Sequence, residues 1–101
     1  MTELTSRQRS RLRSLAHHLD ATLYVGRQGV TDAVVKELDN ALAARELVKV
    51  KMAGDRDERA ETADELARRA GAGLAGTVGR MAILYRRHPD PAKRKIDLAP
   101  E

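Results

Sequence analysis

The sequence predicts an α/β fold: a single-domain sandwich in the order α-β-α-β-α-β-β around a mixed four-stranded sheet. Three observations predict it. Apolar or small residues recur at spacings of three and four in three separate stretches, two of them opened by a Ser or Thr that can cap a helix. Leu47 to Met52 alternates with period two. Gly79-Arg80 joins two β-prone runs as a two-residue hairpin with Gly first would.

Taken in order, Thr5 or Ser6 can cap a first helix whose Leu12, Leu15, Ala16 and Leu19 form an apolar stripe. Thr22 to Val25 is rich enough in β-branched and aromatic residues for a short strand, and Gly26-Arg27-Gln28-Gly29 turns the chain. Thr31 caps a second helix, running to about Arg45, with Val34, Val35, Leu38, Ala41 and Leu42 inward. In the next strand Val48, Val50 and Met52 share one face, Lys49 and Lys51 the other. A loop with Gly54 and Asp55 leads to a third helix, with Ala60, Ala63, Ala67 and Ala70 as a small-residue stripe and Gly71 as its stop. Strands near Leu74–Val78 and Met81–Arg86 complete the sheet. The strand-helix-strand crossover makes the first two strands parallel, and the hairpin is antiparallel. The domain is expected over 1–88, and the basic tail 89–101 is expected to be extended or loosely packed, with Ile96 and Leu98 as the residues able to fold back.

Composition sets the function classes. Residues 1–101 suffice for one domain and one core, and with sixteen Ala and two aromatics that core must rest on Leu, Val and close Ala contacts. Nineteen Lys and Arg against fifteen Asp and Glu give a net charge of +4, and fourteen of the cations are Arg, the better fork for phosphate. A GC-rich genome would produce the same Arg excess. The cations cluster at Arg7, Arg9, Arg11 and Arg13 and again from Arg80 to Lys95, while acids gather from Asp55 to Glu65. The absence of cysteine removes disulfides, thiolate metal sites and a cysteine nucleophile, and no apolar stretch approaches a membrane span. A cytoplasmic protein is expected, without membrane, cofactor, metal or small-molecule substrate, and monomeric.

The candidate functional feature is Gly26-Arg27-Gln28-Gly29, between a strand and a helix start, where backbone can approach a ligand closely and free amides can meet a phosphate. Modules of the KH type clamp nucleic-acid backbone with a GXXG loop. The spacing alone fits an ordinary strand-to-helix turn as well; it recurs at Gly73/Gly76 and Gly76/Gly79, and only the first copy precedes a helix. His17 and His18 diverge by about 100° on a helix and lack a third ligand, so one packed and one exposed ring is expected. Tyr24 and Tyr85 could stack on bases, but both lie in strands with one core face and two aromatics make no platform, so core packing is expected. The acidic cluster, interleaved with Arg56 and Arg59, reads as a solvated helix face that keeps a polyanion off that side. No nucleophile, Walker loop or zinc spacing stands in the context that chemistry would require, so no catalytic residue is assigned.

The stretch LAHHLDATLYVGRQGVTDAVVKELDNALAARELVKVKM followed by VGRMAILYRR resembles the bacterial stand-alone, YhbY-like form of the CRM domain (chloroplast RNA splicing and ribosome maturation), over about Leu4 to Arg87. The resemblance rests on the ordered combination LAH, VGRQGVT, ELVKVK and VGRMAILYR. It implies the fold read above, similar to the C-terminal domain of translation initiation factor three, and RNA binding in large-subunit ribosome assembly. Carried over, the backbone-contacting groups would be Gly26, Arg27, Gln28 and Gly29, Lys49 and Lys51, and Arg80 and Arg86; Arg87 and Arg11 join them from the two basic blocks. Asp20-Ala21-Thr22 stands where many relatives have a proline. The partner implied is ribosomal RNA in large-subunit precursors. The alternative is an adaptor docking on a ribosomal protein or assembly factor, its charge used only for steering.

Overall fold

A computed structural model describes residues 3–98. The elements are α1 (Ser6–Ala16), β1 (Leu23–Val25), α2 (Asp32–Arg45), β2 (Leu47–Met52), α3 (Arg56–Ala70), β3 (Gly73–Val78), β4 (Met81–Tyr85) and a short 3-10 turn at Pro91–Lys93. Local chemistry explains their limits. Thr5 accepts the Gln8 amide and Gln8 answers to the Thr5 amide, a capping box that starts α1; Asp55 and Glu58 build the same box for α3. The Thr31 hydroxyl accepts the Val34 amide at the start of α2. Gly71, at φ +62°, ends α3 in the left-handed conformation that a side chain would resist. No helix among the described residues is long and apolar enough to cross a membrane.

The strand order is β1-β2-β4-β3: β1 runs parallel to β2, and β4 is antiparallel to both β2 and β3. The hairpin thus inserts its second strand beside β2 and leaves β3 at the edge. Helices α2 and α3 cover one face, where Leu38, Leu42, Leu66 and Ala67 pack on Leu23, Val25, Val48, Val50 and Leu84. Helix α1 covers part of the other face, burying Leu12 and Ala16 against Leu47, Ala75, Ile83 and Tyr85. Each fully buried leucine contributes roughly 1.5–3 kcal/mol. Ala75 lies at a bulge in β3, and Gly76 after it has φ +149° with the Arg13 side chain lying across it.

Several expectations need correction. His17 and His18 are both exposed, their rings edge to face at 5.3 Å, because α1 ends at Ala16 and both follow its last turn. Leu15 and Leu19 are 38% and 39% exposed, so the α1 stripe narrows to Leu12 and Ala16. Ala60 is exposed, and Leu66 takes its place in the α3 stripe. Tyr85 is core as expected, but Tyr24 is 60% exposed. The tail is docked: Leu98 is buried, and the Glu46 carboxylate accepts backbone N–H groups from His88 at 2.8 Å, Ile96 at 3.1 Å and Lys95. Residues 99–101 of the expected tail lie outside the described residues.

Candidate nucleic-acid interface

The parallel β1–β2 pairing and the hairpin bring three loops to one end of the sheet. The Ala53 amide donates to Val25 O at 2.9 Å and the Met52 amide to Arg80 O at 2.8 Å, so the 26–29, 53–54 and 79–80 loops are fastened side by side. The first is a tight turn closed by Gly29 N–H donating to Gly26 O at 3.0 Å, with Gly29 at φ +79°. Its central residues, Arg27 and Gln28, are exposed and have no side-chain partner among the described residues. Gly79, at φ +58°, supplies the hairpin turn, and Arg80 beside it is exposed and equally uncommitted.

Register adds a row of side chains at this end. Tyr24 pairs with Lys51, Lys51 with Met81, and Met81 with Val78, so the four strands contribute one line across the sheet on the α1 side. The line nearest α1 is covered, but this last one lies beyond its reach. Tyr24 is 60% and Val78 55% exposed, Met81 is half-buried, and Lys51 is exposed with no hydrogen bond or ion pair among the described residues. The Tyr24 ring leans over the turn, its Cε2 lying 3.4 Å from where a Gly26 Cβ would sit.

The opposite flank of the turn has the other sign. A cleft of about 500 Å³ between the turn and α3 is lined by Glu58, Glu61 and Glu65 together with Gly26, Arg27 and Gly29. Further along, Arg69 of α3 donates to Val30 O at 2.8 Å and pairs with Asp32 at 2.5 Å, fastening the start of α2 to α3. The turn thus separates an acidic flank from the side that carries Tyr24, Lys51 and Arg80.

The expected contact residues therefore separate. Gly26, Arg27, Gln28, Gly29, Lys51 and Arg80 come together. Lys49 points the same way from β2, but its ammonium donates to Ala16 O at 3.2 Å and Leu19 O at 3.1 Å, closing the carbonyl end of α1. Arg86 donates to Asp39 Oδ1 at 2.6 Å, Asp39 O at 3.0 Å and Ala70 O at 2.9 Å, tying β4 to α2 and α3. Arg86 and Arg87 sit at the far end of β4, roughly 20 Å from Arg80 at about 3.3 Å per residue. Arg11 lies on the edge of α1 that carries Leu15, away from Arg13, whose guanidinium donates to Ala75 O at 2.7 Å. Tyr24 is the residue at this end that sequence reasoning placed in the core. Its signal was its place between inward Leu23 and Val25, which by alternation turns it to the other face. Among the described residues no cluster of His, Asp and Glu could hold a metal ion.

Fold and site together define a small α/β module with one sheet end made of a glycine turn, uncommitted cations and an open aromatic. The chain belongs to the CRS1/YhbY (CRM) domain family, whose model matches residues 4–86. It is 41% identical over 97 residues to a Pseudomonas aeruginosa protein named a probable RNA-binding protein, covering 95% of this chain and 93% of that one. A Haemophilus influenzae protein named an RNA-binding protein is 39% identical over 87 residues, covering 85% and 88%. The solution structure of a Staphylococcus aureus protein superposes with a TM-score of 0.82 at 30% identity, over 94% of this chain and all of that one.

Proposed function

We propose that this protein binds RNA by its sugar–phosphate backbone through the glycine turn and the cations around it, without a catalytic step, and acts in the cytoplasm on ribosomal RNA during large-subunit assembly. The observation that carries the reading is the gathering of Arg27, Lys51 and Arg80, none with a side-chain partner among the described residues, about a turn with left-handed Gly29. Family membership and the names of the relatives support RNA as the polyanion. Backbone amides in the turn and the start of α2 can meet one phosphate while the flexible cations meet its neighbours. Affinity of this kind is salt-sensitive and weakly sequence-selective.

The test is sucrose-gradient sedimentation of native lysate at low and moderate salt, following wild type and an Arg27→Ala, Gln28→Ala variant. Co-migration of wild type with large-subunit precursors, with the variant left at the top, is the expected result. Wild type at the top of both gradients overturns the ribosomal role. Association that resists salt and the substitution points instead to docking on a protein.

A further inference from the structure

We infer that Tyr24 is a stacking site for one unpaired nucleobase, so that the RNA bound at the glycine turn is single-stranded there. The inference rests on the RNA-backbone reading above and adds a ligand class to it. An exposed tyrosine on a sheet face costs solvation of its ring and contributes no core packing; here the ring is 60% exposed while its neighbours Leu23 and Val25 are buried. Its position supplies the reason. The ring lies against Gly26, within van der Waals reach of the first residue of the turn, so a phosphate on the turn carries its own base toward this ring.

The rest of the row completes the subsite. Met81 and Val78 extend an apolar floor from Tyr24 across the sheet, and Lys51 stands between them and the ring as a free cation. Three inter-strand steps make the row about 14 Å long at 4.8 Å each. Apolar floor, aromatic plane and interspersed cations are what a splayed single strand uses; a duplex hides its base faces and offers only phosphate and sugar. Charge selects the occupant, since Lys51 and Arg80 rim this side, Arg27 stands at the turn itself, and Glu58, Glu61 and Glu65 line the cleft on the other side. Tyr85, the other aromatic, is 1% exposed and cannot join, so one base is stacked, not a series.

Two measurements test it. The first is the affinity of wild type, Tyr24→Leu and Tyr24→Phe for a single-stranded ribo-oligomer and for duplex RNA of the same length, over a salt series. Tyr24→Leu should weaken single-strand binding by at least fivefold, leave the duplex unchanged, and keep the salt slope because no charge is removed; Tyr24→Phe should bind as wild type does. The second is tyrosine emission, legible because the chain has two Tyr and no Trp. The single strand should quench the Tyr24 share of it, leaving the buried Tyr85 background, and Tyr24→Leu should abolish the quench. Unchanged single-strand affinity in Tyr24→Leu, an equal loss for duplex, or no quench in wild type overturns the stacking site. If wild type binds neither RNA, the backbone reading itself fails; if wild type binds and only Arg27→Ala weakens it, that reading stands and the stacking site falls.

Discussion

Glu46 is the residue whose removal the structure prices most directly. It is the one non-glycine with positive φ among the described residues, at +65°, and its side chain is buried at the C-terminal end of α2. Its carboxylate takes three tail amides, from His88, Lys95 and Ile96. Hydrogen bonds to a charged group contribute about 1.5–3 kcal/mol each, which would sum to roughly 5–9 kcal/mol if the tail had to stay in place. It does not; an unpartnered tail can undock, so the loss is limited to what docking contributes, chiefly burial of Leu98 and part of Ile96, roughly 2–4 kcal/mol before ordering entropy. Glu46→Ala should therefore cost about 2–3 kcal/mol. Glu46→Gly removes the same carboxylate but relieves the left-handed strain, worth about 1–2 kcal/mol, and should cost correspondingly less. The assay is urea unfolding at pH 7 with amide exchange at His88, Lys95 and Ile96. Burial raises the carboxyl's pKa, but the three donors and nearby His88 outweigh it and hold it below the ordinary 4.5. A depressed carboxyl stabilises above its unfolded value, and that contribution is lost as pH falls through the lower folded one, so the gap between wild type and variant should close in acid. A loss under about 0.5 kcal/mol, or unaltered exchange at the three amides, would refute the reasoning.

Other substitutions separate scaffold from interface. Arg86→Ala, which breaks the clamp to Asp39 and Ala70 O, should lower stability by about 1–3 kcal/mol in urea unfolding and leave RNA affinity unchanged. Lys49→Ala should cost about 1–2 kcal/mol through the end of α1, again with RNA affinity retained in a binding titration. Gly76→Ala places a Cβ 2.9 Å from Arg13 Cδ at φ +149°, and thermal unfolding should show a loss of about 1–3 kcal/mol as Arg13 leaves Ala75 O. Gly29→Ala meets no atom within 4 Å, so only its φ of +79° is strained; about 1–2 kcal/mol of stability and a measurable share of RNA affinity should go together.

Much of the scaffold was legible because its signals are local. Element order, the Thr5, Thr31 and Gly71 caps, the parallel β1–β2 pair and the hairpin follow from spacing, capping chemistry and handedness. The β1-β2-β4-β3 order did not, since Ala82, Ile83 and Leu84 read as a buried strand without saying which neighbour they meet. The turn and its Arg27 were visible as a motif, whereas the merit of each cation depends on what lies within reach of its tip. Lys49 and Lys51 share a strand face, yet Lys49 finds α1's carbonyls and Lys51 finds solvent, because α1 ends between them. Arg86 is engaged by Asp39, forty-seven residues away in sequence. Tyr24 was assigned to the core because a three-residue strand gives alternation only one outward position, and Glu46 was overlooked because a buried carboxylate at positive φ has no sequence mark.

The central claim is that RNA backbone is held at the glycine-turn end of the sheet by Arg27 and Arg80. Its most direct measurement is the slope of log Kd against log salt for a single-stranded ribo-oligomer, for wild type, for Arg27→Ala with Arg80→Ala, and for Arg11→Ala with Arg87→Ala as a remote pair of equal charge loss. Removing two phosphate contacts from a single strand should flatten the slope by about 1.4, at roughly 0.7 per contact, and the remote pair should leave it unchanged. Equal flattening by both pairs, or none by the turn-end pair, would contradict the claim and reduce the attraction to the protein's net charge of +4.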